Sequence, residues 1–244
     1  ERYVKDIGGG LIMIGGDRSF GAGHFKKTPI EKALPVFMDT PTDIKLPELY
    51  LIFVIDKSSS MTANYKDKSK LEMAKIAAFS SIEMLNPIDR VGIVTFDTEF
   101  DWTVPLTSAA ERSQIAANLS QVIEGGGTDL YPALTDVKRV LDRIASGKKH
   151  VIVLSDGETE EADFKTLVQS MSTSGISIST VSIGKGSHVA LMQSIAEWGN
   201  GRSYYTDDPN DIPKIFTGET KIISRKMITE KTMQPTLRMP HEIM

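Results

Sequence analysis

From Leu49 onwards the chain alternates short apolar runs with segments in which apolar residues recur every third or fourth position. Runs of the first kind suit strands buried on both faces, and the second pattern marks one side of a helix. The pattern predicts strands at Leu49–Ile55, Val91–Phe96, His150–Leu154 and Ile176–Ile183, with a short last one at Ser203–Thr206. Phe100–Leu106 is predicted as an edge strand, where Pro105 is tolerated. Between them lie predicted helices at Ala109–Ile123, Tyr131–Ile144, Phe164–Met171 and Val189–Trp198. Lys70–Leu85 carries Leu71, Ala74, Ala78, Ile82 and Leu85 at helical spacing and stops before Pro87. A terminal helix is predicted from Asp211, reaching Met227.

Parallel neighbours need crossover connections, so this alternation predicts an α/β fold. The expected architecture is a Rossmann-like, doubly wound, mostly parallel sheet with one antiparallel edge strand, over residues 48–220. The opening differs. Gly8 to Gly16 encloses Leu11-Ile12-Met13-Ile14, read as a short buried strand between glycine turns. Pro29, Pro35, Pro41 and Pro47 then follow at six-residue intervals, which leaves room for one short helical turn at most. Residues 1–47 therefore read as a fragment plus linker, and 221–244 as a helix end and linker.

Composition narrows the function. Of 244 residues, 40% are hydrophobic and 25% charged, the mixture of a soluble chain with a real core. Net charge is 28 − 32 = −4, which argues against nucleic-acid binding. No apolar stretch is long enough to span a bilayer. The start, Glu1 to Asp6, has no apolar core of a secretory signal and no initiating Met, as expected of a piece of something longer. Zero cysteines exclude disulfides, thiolate metal sites and cysteine nucleophiles. The four histidines (His24, His150, His188, His241) form no zinc-protease pattern. A P-loop is excluded too, because Gly184-Lys185-Gly186-Ser187 does not fit one.

In an open α/β sheet, ligands bind at the carboxyl ends of the strands. Three such places carry chemistry. Asp56-Lys57-Ser58-Ser59-Ser60 ends the first strand, Gly125-Gly126-Gly127-Thr128-Asp129 opens a helix, and Ser155-Asp156-Gly157 ends the fourth strand. Together they offer the carboxylates of Asp56 and Asp156 and the hydroxyls of Ser58, Ser60 and Thr128. Such hard oxygens suit Mg²⁺ or Mn²⁺. Alternate residues of an extended turn point the same way, which would pair Ser58 with Ser60. Asp129 is expected to cap the following helix or to support Thr128. Glu158, Glu160, Glu161 and Asp163 read as a solvated, negative helix start, and Lys221, Arg225 and Lys226 as a solvated helix-end face.

This set resembles the metal-ion-dependent adhesion site of von Willebrand factor A domains, in the same order along the chain. The resemblance covers residues 48–220. It implies a non-catalytic, Mg²⁺-dependent binding module, with Mn²⁺ or Ca²⁺ as substitutes. Ser58, Ser60 and Thr128 would hold the ion directly, Asp56 and Asp156 through water, and the open position would take an Asp or Glu of a partner protein. The opening Tyr3 to Gly16 resembles a strand and turn of class I glutamine amidotransferase-like domains. Ser19–Gly23, Leu34–Val36 and Ile212–Thr220 are similar to the borders at which some bacterial membrane proteins carry an inserted von Willebrand A domain. That implies a membrane-anchored bacterial parent. Two other readings stay open: a haloacid-dehalogenase-like, Mg²⁺-dependent phosphatase and a structural spacer with a degenerate metal site. The phosphatase would need a second Asp where Ser58 stands.

Overall fold

A computed structural model describes residues 2–14, 25, 27–34, 48–65, 68–184 and 188–224. The chain divides into two compact units, Pro47–Lys226 and a smaller one of Glu1–Leu46 with Met227–Met244. In the smaller unit two short helices are described, α1 (Arg2–Lys5) and α2 (Pro29–Ala33). Pro29 begins α2 because its fixed φ suits the first helical turn and its missing N–H is not needed there, while Thr28 caps the end. The expected buried strand at Gly8–Gly16 is not found over its described part. Residues 8–14 have no regular structure, and Ile12 and Ile14 are 88% and 92% exposed. An apolar run becomes a strand only with a partner for its N–H and C=O groups. Among the described residues of this unit no strand offers one. Residues 15 and 16 lie outside the described residues.

The larger unit holds the alternating elements in chain order. β1 (Leu49–Asp56) is followed by a 3₁₀ turn at Ser59–Thr62 and a two-strand hairpin, β2 (Asn64–Tyr65) and β3 (Lys68–Ser69), which the periodicity does not predict. Next come α3 (Lys70–Ile82), β4 (Arg90–Phe96), β5 (Phe100–Ser108), α4 (Arg112–Ser120) and α5 (Leu130–Asp142). Then follow β6 (Lys148–Ser155), α6 (Phe164–Thr173), β7 (Ile176–Ile183), α7 (Val189–Trp198), β8 (Asn200–Thr206) and α8 (Ile212–Ser224). The part of the predicted terminal helix beyond Ser224 lies outside the described residues.

The six-stranded sheet has the order β5-β4-β1-β6-β7-β8. All neighbours are parallel except β4 and β5, so this edge strand runs antiparallel, and its place at the sheet edge is one where Pro105 is tolerated. Alternate residues of β1 feed opposite cores. Leu51, Phe53 and Ile55 pack with α3, α4 and α8, whereas Ile52 and Val54 pack with α5, α6 and α7. Phe53 stacks on Phe216 of α8 with ring centroids 5.4 Å apart. Truncating Phe53 to Ala would cost about 3–5 kcal/mol through lost burial and the cavity left behind.

Polar groups under α8 are collected on Glu219, which is 1% exposed. Its carboxylate accepts from Ser179 Oγ at 2.6 Å, Arg202 Nε at 2.8 Å, Arg202 Nη2 at 3.1 Å and Tyr204 OH at 2.6 Å. His150 Nε2 stands 3.4 Å away, and its other ring nitrogen meets Ser177 Oγ at 2.6 Å. This network ties α8 to β6, β7 and β8.

Candidate metal centre

The strand order turns at β1: the next sheet strand in sequence, β4, lies on one side of it and β6 on the other. Crevices at such a switch point, at the carboxyl ends of the strands, are where open α/β sheets place ligands. Asp56 is the last residue of β1 and Ser155 the last of β6, with Asp156 next. Both aspartates are buried, at 0% and 3% exposure. Asp56 Oδ1 accepts from the Ser58 N–H at 2.8 Å, which folds the loop back over the strand end. Asp56 Oδ2 accepts from Ser155 Oγ at 2.7 Å.

Ser58 and Ser60 hydroxyls lie 3.0 Å apart, and Ser60 Oγ donates to Asp156 Oδ1 at 2.6 Å. The pairing of Ser58 with Ser60 is as expected, but the backbone that achieves it is not. Ser58 is extended, and Ser59–Thr62 then curls into the 3₁₀ turn rather than continuing as an extended segment. A chain leaving a buried strand end must reverse at once, and the 3₁₀ turn does this in few residues.

The second loop is laced to the first. Gly125 N–H donates to Lys57 C=O at 2.8 Å, and Ser59 N–H to Gly126 C=O at 3.2 Å. Gly126 has φ +75°, and a Cβ there would come within 2.9 Å of the Asp97 side chain, so both conformation and space call for glycine. Thr128 is thereby carried to the third loop. A Cβ on Gly157 would stand 3.4 Å from Thr128 Oγ1 and 3.8 Å from Ser60 Oγ, so these two hydroxyls face one space that residue 157 leaves open. Asp129 caps α5, accepting from the Tyr131 N–H at 3.3 Å. Asp56, Ser58, Ser60 and Asp156 thus share one hydrogen-bonded cluster, with Thr128 beside it.

Electrostatics set this cluster apart. Burial raises the Asp56 carboxyl above its ordinary pKa, with the neighbouring Asp156 charge adding, and the Ser58 and Ser155 hydrogen bonds do not offset it. Positive charge is in short supply there. Asp156 Oδ2 pairs with the Lys70 ammonium at the start of α3, and Lys57 pairs with Asp97. At Asp97 burial pushes upward, but the Glu99 N–H and Lys57 outweigh it and hold that carboxyl low.

The sequence pattern alone gives no role to Ser155, Lys70 or the Lys57–Asp97 pair. Ser155 belongs to the Ser155-Asp156-Gly157 motif at the end of β6, where a side chain can reach the neighbouring strand end. Nothing in the sequence around Lys70, beyond the Ser69–Glu72 capping box that starts α3, says where its side chain goes. Glu158, Glu160 and Glu161 are exposed, and Asp163 caps α6 by accepting from the Thr166 N–H at 3.1 Å. No group of three or more His, Cys, Asp or Glu placed to hold a metal occurs among the described residues. The centre at Asp56 and Asp156 is instead completed by hydroxyls. Its donor set of oxygens alone, with two buried carboxylates, fits a small, hard divalent cation.

The family model for the von Willebrand factor type A domain matches residues 51–218. The chain belongs to the von Willebrand factor type A family. This VWA chain is 25% identical over 187 residues to the uncharacterized protein YfbK of Escherichia coli, covering 72% of this chain and 32% of YfbK. It is 28% identical over 181 residues to an uncharacterized Synechocystis protein, covering 71% of this chain and 41% of that protein. The chain therefore spans about a third to two fifths of the length of these curated relatives.

Three solved structures share the fold. A von Willebrand factor type A protein from Catenulispora acidiphila superposes with TM-score 0.65 at 23% identity, covering 71% of this chain and 42% of that one. An aerotolerance-related membrane protein from Bacteroides fragilis gives 0.60 at 21%, covering 71% and 99%. Proximal thread matrix protein 1 from the mussel byssus, with zinc in its MIDAS motif (the metal-ion-dependent adhesion site), gives 0.62 at 16%, covering 72% and 48%. At these identities the likeness speaks for the VWA fold alone.

Proposed function

We propose that Asp56, Ser58, Ser60, Thr128 and Asp156 form a metal-ion-dependent adhesion site through which this VWA domain holds a partner protein. One observation carries the reading. Two buried carboxylates and their bridging hydroxyls meet at the switch point of the sheet, and the carboxyl of Asp56 is short of positive charge. Ser58, Ser60 and Thr128 would hold the ion, with Asp56 and Asp156 behind them. A bound Mg²⁺, or Mn²⁺ or Ca²⁺ in its place, supplies a positive centre for an Asp or Glu of the partner. The chain's part is positional. Ser155 and the Ser58 N–H aim Asp56, Ser60 aims Asp156, and the open side of Gly157 keeps Thr128 accessible.

The role is binding rather than catalysis. Ser58 stands where a phosphatase of the alternative class would need its acid/base carboxylate, and no observation favours that class. The zinc-occupied MIDAS of the mussel protein supports a divalent ion in this fold, without fixing which ion belongs here. The parent protein is proposed to be bacterial and membrane-associated, supported by the Escherichia coli relative and by the Bacteroides membrane protein of the same fold. No helix among the described residues is long and apolar enough to cross a membrane. On sequence resemblance, residues 1–47 are proposed to be a fragment of a glutamine amidotransferase-like host domain with a linker, and 221–244 a helix end and linker back to that domain.

Calorimetric titration with Mg²⁺, Mn²⁺ and Ca²⁺, on wild type and Asp56→Ala, tests the reading. Saturable binding in the wild type, lost in a folded Asp56→Ala protein, is the expected result. Binding that survives the substitution would place the ion elsewhere. Absence of binding in the wild type would favour a degenerate site.

A further inference from the structure

Lys70 occupies a particular place in this cluster. The capping box fixes the start of α3: Ser69 Oγ accepts from the Glu72 N–H at 3.1 Å, and Glu72 Oε2 accepts from the Ser69 N–H at 2.9 Å. Lys70 is the first residue of that helix, and its side chain is 19% exposed while that of Asp156 is fully covered. Its ammonium bonds Asp156 Oδ2, and Asp156 Oδ1 is taken by Ser60 Oγ at 2.6 Å. Both oxygens of Asp156 are therefore held, one by a cluster hydroxyl and one by an internal cation. The other nearby lysine, Lys57, is engaged with Asp97.

Charge counting shows the consequence. Asp56, Asp156 and Lys70 sum to −2 + 1 = −1, taking the carboxylates as ionised. A divalent ion would bring the cluster to +1, whereas without Lys70 it would end at 0. An ammonium beside the centre repels an incoming cation, and it leaves the loaded site net positive toward an anionic partner group.

We propose that Lys70 is a resident counter-ion. It holds Asp156 in place before an ion arrives, weakens ion binding, and keeps the loaded site attractive to a carboxylate. This rests on the adhesion-site reading, and the test separates the two. Mg²⁺ and Mn²⁺ are titrated by calorimetry into wild type, Lys70→Met, which keeps the apolar stem, and Lys70→Arg, which keeps the charge. Thermal unfolding in EDTA is followed in parallel.

Lys70→Met should bind Mg²⁺ about tenfold or more tightly than wild type, with Lys70→Arg within about threefold of it. In EDTA, Lys70→Met should unfold at a lower temperature than wild type, and saturating Mg²⁺ should remove the difference. Equal or weaker binding by Lys70→Met, with binding intact in wild type, overturns the counter-ion role and leaves the adhesion site standing. Binding by Lys70→Met where wild type shows none upholds the counter-ion role in its strongest form. Absence of binding in both overturns both readings. If Lys70→Met is unfolded in EDTA, refolding on added Mg²⁺ supports the proposal and failure to refold at any concentration overturns it.

Discussion

Two buried carboxylate clusters sit in one domain and are built on opposite terms. Glu219, under α8, receives hydrogen bonds from Ser179, Arg202 and Tyr204 and faces His150. Burial alone would raise its pKa, but those partners outweigh burial and hold the carboxyl far below its ordinary value. Asp56, at the carboxyl end of β1, is as deeply buried but has only a backbone N–H and neighbouring hydroxyls as donors, and its pKa goes up. One cluster is electrostatically complete within the chain. The other is short of positive charge, and we read that shortage as the signature of a site that takes a cation. Saturation, rather than burial, separates the Glu219 carboxylate from the one we propose to face an ion.

The sharpest way to break this contrast is to remove each carboxylate charge. Glu219→Ala leaves Arg202, Tyr204 and Ser179 without their acceptor, and we predict a loss of about 3–5 kcal/mol in urea unfolding. Asp56→Asn should behave differently. Its carbonyl can still accept from the Ser58 N–H and its amide can donate to Ser155 Oγ, so unfolding in EDTA should change by no more than about 1 kcal/mol. Comparable large losses at both positions would make Asp56 a second structural carboxylate and end the comparison.

This difference also shows what a sequence discloses. The continuous apolar run Leu49–Ile55 was legible as a central strand because both of its faces are covered. The run Leu11–Ile14 has the same composition and is exposed at Ile12 and Ile14, because pairing partners cannot be read from the run itself. That Asp56, Ser58, Ser60 and Asp156 would lie together was legible because the carboxyl ends of neighbouring strands are predictable places. Lys70 and Glu219 were not. Lys70 acts on a residue 86 positions away and Glu219 on residues 15 to 69 positions away, through side-chain directions that only packing decides.

A second prediction uses pH. His150 is buried, and burial lowers its pKa below 6.5 despite the opposing pull of Glu219. A group with a depressed folded pKa takes up its proton more readily in the unfolded chain, so stability is lost as pH falls below about 6.5. Glu219 acts in the same direction lower down: its contribution is complete above its unfolded value near 4.5 and is lost as pH falls through its depressed folded value. In EDTA, unfolding free energy should therefore drop between pH 7 and pH 5 by up to about 1.4 kcal/mol per unit for one proton. His150→Gln should flatten that slope. An unchanged slope in the variant would mean that the linked proton sits elsewhere and that this network does not sense pH in the neutral range.

Single hydroxyls test the comparison most finely. Ser179→Ala removes a donor to Glu219 and an acceptor for the Arg202 N–H at 3.0 Å, and should cost about 1.5–3 kcal/mol. Ser155→Ala removes one donor to Asp56 and should cost about 1 kcal/mol in EDTA. The two diverge once Mg²⁺ is added. An ion that binds only the folded state stabilises it in proportion to its affinity, so a variant that binds it more weakly gains less. If Ser155 orients Asp56 for the ion, its loss should weaken Mg²⁺ by about tenfold. The Ser155→Ala deficit then grows by up to about 1.4 kcal/mol at saturating Mg²⁺, while the Ser179→Ala deficit stays constant. Unfolding curves with and without the ion decide the matter. A Ser155→Ala deficit indifferent to Mg²⁺ would detach Ser155 from the ion and leave Asp56 aimed by the Ser58 backbone alone.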